Sequence, residues 1–160
     1  MKQLHNVESA EVSRSASLER LWGLAVVLSD QMERGLAERG LTLARAGLLW
    51  QLQQDGPATQ QSLSRSLRVT PRNITGLVDA LEADGLAARR PHPSDRRATV
   101  VALTDKGANL ARALKRDQDS GAQYFFNDVT PAELKTFDKV VERLMQRLRS
   151  AIGETDRQAM

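Results

Sequence analysis

At Asp84-Gly85 the apolar period of this chain changes, and that change confines what its middle can become. Before it, Ile74, Leu77, Val78 and Leu81 recur at i, i+3, i+4 and i+7, one face of a helix. After it, residues 86–91 and 98–103 read as short extended runs, with Thr99, Val101 and Leu103 alternating against Val100 and Ala102. His92-Pro93-Ser94-Asp95-Arg96-Arg97 between them is a polar turn, so the pair predicts a β-hairpin with a basic tip. The helix opens on Thr70 as N-cap, with Pro71 at the first helical position, where a missing N–H does no harm. A shorter helix, capped by Thr59 and apolar at Leu63 and Leu67, precedes it across Leu67-Arg68-Val69, a connection of helix-turn-helix length. Residues 59–103 thus read as helix, tight turn, helix, hairpin.

The flanks are helical. Leu18, Leu21, Trp22, Ala25, Leu28, Met32 and Leu36 keep the 3.6 period behind a Ser17 cap, and Gly40 stops them. Thr42 opens a further helix that Asp55-Gly56-Pro57 ends, and Thr104-Asp105-Lys106-Gly107 starts one running through Leu110 and Leu114. Thr130-Pro131-Ala132-Glu133 is a capping box ahead of Leu134, Phe137, Val141, Leu144 and Leu148. The fold class expected is mainly α with a small β-hairpin.

Charge decides what the hairpin and its helix could meet. The chain carries a net +3, too little to name a partner. Residues 57–100, however, hold seven arginines against four acidic residues and no lysine, while the flanks on either side are within one charge of neutral. Arginine's planar fork suits phosphates and guanine edges better than lysine's point charge. The helix turns outward Pro71, Arg72, Asn73, Thr75, Gly76 and Asp79, a small polar face whose Arg72 and Asn73 fit guanine and adenine edges in a major groove. Gly76 lowers helix propensity by about 0.8–1 kcal/mol; close approach to DNA or burial at a helix crossing would each explain it. Arg96 and Arg97 on a thin tip suit a narrow minor groove, and Asp95 can pair with Arg97 to hold the tip's shape. With Arg65, Arg68 and Thr70 alongside, these are the candidate DNA-binding residues.

Other chemistries have little to stand on. Six aromatic residues are too few for single-strand stacking platforms, and the absence of cysteine removes disulfides, zinc-thiolate fingers and thiol redox sensing. His5 and His92 are the only histidines, with no Ser-His-Asp grouping, phosphate-cradling glycine loop or GxSxG elbow, so neither enzyme, metal nor cofactor is expected. Asp117, Asp119 and Asp128 have a faint calcium-loop spacing, but Ala122 stands where the turn needs glycine. The longest apolar run, residues 21–28, falls short of the ~20 residues of a membrane span, and residues 1–17 lack a signal-like apolar core. A soluble cytoplasmic protein is the expectation.

The run Asp95-Arg96-Arg97-Ala98-Thr99-Val100-Val101-Ala102-Leu103-Thr104 resembles the wing signature of the multiple antibiotic resistance regulator (MarR) family. Gly85-Leu86, Arg89-Arg90-Pro91 and Asp105-Lys106-Gly107 match its usual surroundings, and the order of elements matches over about residues 17–152. The resemblance implies a winged helix-turn-helix transcription regulator, dimeric through its N- and C-terminal helices, and in many members released from DNA by small phenolic or anionic aromatic compounds. By position, Arg97 would be the wing arginine with Asp95 its partner, and residues 71–76 would lie in the major groove. The division expected is a flexible arm over 1–16, dimerisation helices and scaffold over 17–56 and 104–152, the winged domain over 57–103 and a flexible tail over 153–160. Leu18, Leu21, Leu134, Phe137, Val141, Leu144 and Leu148 are the expected dimer interface, since these stripes exceed what the winged domain can cover. Trp22 and Trp50 could flank an aromatic ligand beside an arginine of the hairpin base; tryptophan's usual burial favours core anchors instead. The function expected is a repressor on a pseudo-palindromic double-stranded operator, helix 70–84 in the major groove and hairpin 86–103 in the minor groove. The alternatives are a winged-helix protein-interaction module, which would need an acidic or apolar outer face on that helix, and a small-molecule enzyme.

Overall fold

Threonine hydroxyls start five of the helices. Oγ1 of Thr42, Thr59, Thr70, Thr104 and Thr130 accepts from the backbone N–H three residues on, at 3.1–3.3 Å. Each satisfies an amide that the first helical turn leaves without a partner. The computed structural model describes residues 13–92, 94–95 and 98–158, the side chains of 152–158 excepted. Among them run α1 (Arg14–Ala37), α2 (Leu43–Asp55), α3 (Gln60–Leu67), α4 (Pro71–Ala83), β1 (Ala87–Pro91), β2 (Thr99–Leu103), α5 (Asp105–Phe125) and α6 (Pro131–Gln158). They form two compact units, one ending at Arg112 and the other beginning at Ala113.

Three boundaries differ from the sequence reading. α1 begins at Arg14 behind Ser13, so Ser17 lies inside the helix and the last residues of the expected arm are helical; residues 1–12 are outside the described part. α6 continues through Gln158 into the expected tail, running past Gly153 without a break. The helix-turn-helix connection is Arg68-Val69-Thr70, one residue later than the spacing suggested, since Leu67 completes α3.

The first unit has its core in α2, α3, α4 and the hairpin: Leu48, Leu49, Leu63, Ile74, Val78, Leu81 and Val101 are all but inaccessible. The hairpin is antiparallel, with Arg89 opposite Val101 and Pro91 opposite Thr99. The expected alternation along β2 is absent, for Val100, Val101 and Ala102 are all buried. Its cause is a third partner. Both hydrogen bonds of Val101 go to Ala58, at 2.8 and 3.1 Å, so β2 lies between β1 and the short α2–α3 linker, with α2 packed against it. In the second unit, Phe126 stacks edge-on to Phe125 at 5.0 Å and meets Phe137 of α6 at 5.9 Å.

Two substitutions test this packing. A Cβ on Gly107 would stand 1.9 Å from the carbonyl oxygen of Leu86, so Gly107→Ala must displace backbone where β1 and α5 begin. Chemical denaturation should show a loss of at least about 1–3 kcal/mol, the usual cost of overpacking. At α6, the Glu133 carboxylate accepts from both the hydroxyl (2.6 Å) and the amide (2.9 Å) of Thr130, and these bonds hold its pKa below the ordinary carboxylate value. A depressed folded value means the box stabilises above the ordinary carboxylate range and fades as pH falls through the lower folded value. Tm against pH should therefore fall less steeply on the acid side in Glu133→Ala; an unchanged slope would contradict the assignment.

Candidate nucleic-acid interface

Burial of one face of α4 aims the other. Ile74, Val78 and Leu81 are sealed and Leu77 is half-buried, leaving Pro71, Arg72, Asn73, Thr75, Gly76 and Asp79 exposed. No atom lies within 4 Å of a Cβ built on Gly76, which removes the helix-crossing explanation for that glycine. Thr70 spends its hydroxyl oxygen as the cap of α4, and the Thr75 hydroxyl donates back to the Pro71 carbonyl at 2.9 Å. Pro71, Arg72 and Asn73 therefore lead a rigid, polar first turn.

The turn in front of it is locked. The buried Ser64 hydroxyl donates to the Val69 carbonyl at 2.6 Å, and the Val69 amide returns a bond to the Ser64 carbonyl at 3.1 Å. Arg68 between them takes φ +53°, the left-handed conformation that closes α3 and throws its side chain outward. Arg65, one turn earlier, is likewise exposed.

The charges sort themselves in a way the sequence did not reveal. Arg89 of β1 donates through its backbone N–H to Glu82 at 2.6 Å, through Nη2 to Asp79 at 2.7 Å and Gln60 at 3.1 Å, and through Nη1 to Glu82 again. The Asp79 bond, with help from Glu82 and against partial desolvation, raises the Arg89 pKa further above its already high ordinary value. Arg45 of α2 pairs with Asp84 at the end of α4 and donates to the Gly40 carbonyl at 3.0 Å. Lys106 caps the Asp84 carbonyl at 2.8 Å. Three of the four acids of residues 57–100 are thus held by Arg89 and Arg45, while Arg65, Arg68, Arg72 and Arg90 are exposed and make no ion pair among the described residues. No periodicity could have shown the Arg89 cluster, whose members lie 7, 10 and 29 residues away.

At the hairpin tip, His92 donates to the Ala98 carbonyl at 2.9 Å, Ala98 donates to Asp95 at 3.0 Å, and the Ser94 amide donates to His92 Nδ1 at 3.3 Å. Asp95 is exposed and has a partner; Arg96 and Arg97, on which the wing reading turned, lie outside the described residues. Trp22 is 73% exposed, so it is no core anchor within the chain; it lines a shallow hollow on α1 with Ala25, Val26 and Glu33, and Trp50 is not part of it. Trp50 is half-buried, its indole N–H shielded and without a hydrogen-bond partner among the described residues. Arg89, as the arginine of the hairpin base, is already engaged by Asp79, Glu82 and Gln60. Of the expected interface residues, Leu18, Leu21, Phe137, Leu144 and Leu148 are exposed and Leu134 and Val141 half-buried. Among the described residues no His/Cys/Asp/Glu cluster could hold a metal ion, Asp119 is paired with Lys115, and no helix is long and apolar enough to cross a membrane.

A two-helix turn with a locked connection, an arginine-bearing outward helix and a hairpin beside it define a winged helix-turn-helix DNA-binding protein. Comparison with known proteins gives the family. Residues 41–99 match the MarR family, so the chain carries a MarR family domain, the domain of helix-turn-helix transcriptional regulators. That family consists of transcription regulators, not enzymes. The chain is 28% identical to the transcriptional repressor YetL of Bacillus subtilis over 92% of its own length and 93% of the relative's. It is 29% identical to the transcriptional activatory protein BadR of Rhodopseudomonas palustris, over 85% and 82%. In fold it is similar to Streptococcus pneumoniae FabT in complex with DNA, at TM-score 0.79 and 20% identity over 86% of this chain and 99% of that one.

If the Ser64–Val69 bond fixes the turn, Ser64→Ala should lower unfolding stability by about 1 kcal/mol, because a carbonyl loses its partner. Equilibrium denaturation reads this directly, and stability equal to the parent would show the turn to be held by other contacts.

Proposed function

We propose that this chain is a homodimeric, cytoplasmic repressor that reads a pseudo-palindromic double-stranded operator, with α4 in the major groove and the hairpin in the adjacent minor groove. A small aromatic or anionic ligand would release it. The observation that carries the DNA reading is the outward face of α4: exposed Arg72 beside Asn73, with exposed Arg65 and Arg68 at the turn, none of the three arginines in an ion pair among the described residues. An acidic or apolar face there would have favoured a protein-interaction module. Thr70, Pro71, Thr75 and Gly76 complete the contact surface, the first two by setting the turn and the last two by leaving room for it. Arg96 and Arg97, with Asp95 shaping the loop, would serve the minor groove.

Dimerisation is supported by the apolar side chains that α1 and α6 leave in water. Leu18, Leu21, Phe137, Leu144 and Leu148 are each exposed in the single chain and recur at helical steps along α1 and α6, as the face of a helix that is covered by a partner does. Two heads joined in this way would meet half-sites about one helical turn apart. Relatives include a repressor and an activator. Repression is preferred because it needs only occupancy of the site, whereas activation needs a further surface for the polymerase. Ligand release is supported by Trp22, whose exposed indole offers a stacking face over a shallow hollow of α1.

Fragments of the host genome selected by the purified protein would supply the operator, and titration with salt then tests the mechanism. Log K should fall against log [salt] with a slope near −0.9 per neutralised phosphate, and a flat dependence would overturn the reading. On the selected operator, Arg72→Ala should cost about 1–3 kcal/mol and relax base preference at one position per half-site. A uniform loss over all sequences would reassign Arg72 to phosphate.

A further inference from the structure

Asp79 follows Arg72 by seven residues, two turns along the same line of α4, and so lies on the face offered to the duplex. A bare carboxylate there would stand roughly 10 Å from Arg72, about one Debye length at 0.1 M salt and well within it at lower salt, and would repel the phosphates that arginine attracts. Glu82 stands less than one turn further on. Both carboxylates are exposed enough to act, since the Asp79 side chain is 59% and the Glu82 side chain 31% accessible.

Neither is bare. Arg89 reaches across from β1 and engages both, and its fork is then filled by Gln60 of α3. Its neighbour Arg90 takes the opposite side of the strand, exposed and without an ion pair among the described residues. Adjacent arginines of one strand thus divide the work: one is spent inside the protein and the other is left in water.

We propose that Arg89 is a positioning residue for DNA binding, an internal counter-ion that masks Asp79 and Glu82 so that the outward side of α4 presents uncompensated charge of one sign. This rests on the DNA reading above and adds a residue to it that touches no DNA. The carboxylates, in turn, fix the guanidinium where β1, α3 and α4 meet, so the mask stays in place when the duplex approaches. The cluster sets affinity for any duplex and carries no base preference.

The test uses the full chain and a mixed-sequence duplex of about 30 base pairs at low salt, with binding followed by fluorescence anisotropy. Arg89→Ala should weaken binding about tenfold or more, because two carboxylates are unmasked at once. Adding Asp79→Asn and Glu82→Gln to that variant should return affinity to within about threefold of the parent, since mask and masked are then both gone. Asp79→Asn with Glu82→Gln alone should bind several-fold more tightly than the parent. Thermal unfolding is recorded for every variant, and should Arg89→Ala be unfolded at the assay temperature, the last variant decides by itself. Unchanged binding by folded Arg89→Ala, no recovery on removing the carboxylates, or no tightening in the double variant would each overturn the proposal while the DNA reading stood. A parent protein that binds no duplex would overturn both.

Discussion

Burial of Ile74, Val78 and Leu81 is the constraint from which the rest of the site follows. Each such side chain is worth about 1.5–3 kcal/mol when withdrawn from water, so together they outweigh any single polar preference on the helix. With that stripe inward, the geometry of an α-helix leaves Arg72, Asn73, Thr75 and Gly76 no direction but outward. The face proposed to meet DNA is thus fixed by residues on the opposite side of the helix. The same stripe brings α4 against β1, and this closeness is what lets Arg89 reach two carboxylates of the helix.

Electrostatic order is a second consequence. In sequence, residues 57–100 show seven arginines and four acids and a modest excess. Among the described residues they separate into one set joined in pairs and another of exposed cations that make no ion pair. Arg89 and Arg45 take Asp79, Glu82 and Asp84, each pair also tying the helix to a neighbouring element. Arg65, Arg68, Arg72 and Arg90 remain in water. An excess of three thus becomes a surface from which most of the opposing charge has been withdrawn. Exposed ion pairs stabilise little, so the chief effect of these pairs is on what the surface presents.

Signals that act within a few residues were legible in the sequence. The threonine caps, Pro71 at the start of α4, the i, i+3, i+4, i+7 stripe and the basic hairpin all depend on neighbours, and the candidate DNA face followed from them. What depended on contact across the chain was not legible. Ala58 sits beside a glycine-proline turn and looks like loop, yet it completes the hairpin's third edge and turns an apparently half-exposed β2 into a buried one. Gly107 looked like part of a helix start, whereas the Leu86 carbonyl is what excludes a side chain there. Trp22 followed the apolar period of α1 faithfully, but periodicity reports only that a face is apolar. It does not report whether the cover comes from the same chain.

Two residues of the proposed interface are poor choices for their local backbone. Arg68 holds a left-handed conformation that costs a side-chain-bearing residue about 1–2 kcal/mol, and Gly76 gives up about 0.8–1 kcal/mol of helix propensity at an open position. Asparagine at the first and alanine at the second would serve the fold better, and nothing in the surrounding packing forbids either. Both residues lie on the outward side of the helix-turn-helix, one supplying a guanidinium and the other removing a side chain. Conflicts between local preference and global fold gather where a surface serves something besides stability. The stripe beneath them is strong enough to hold α4 in spite of both. On the proposed DNA reading the turn and the helix behind it would follow the duplex's contour, and the core supplies the margin that makes such a shape tolerable.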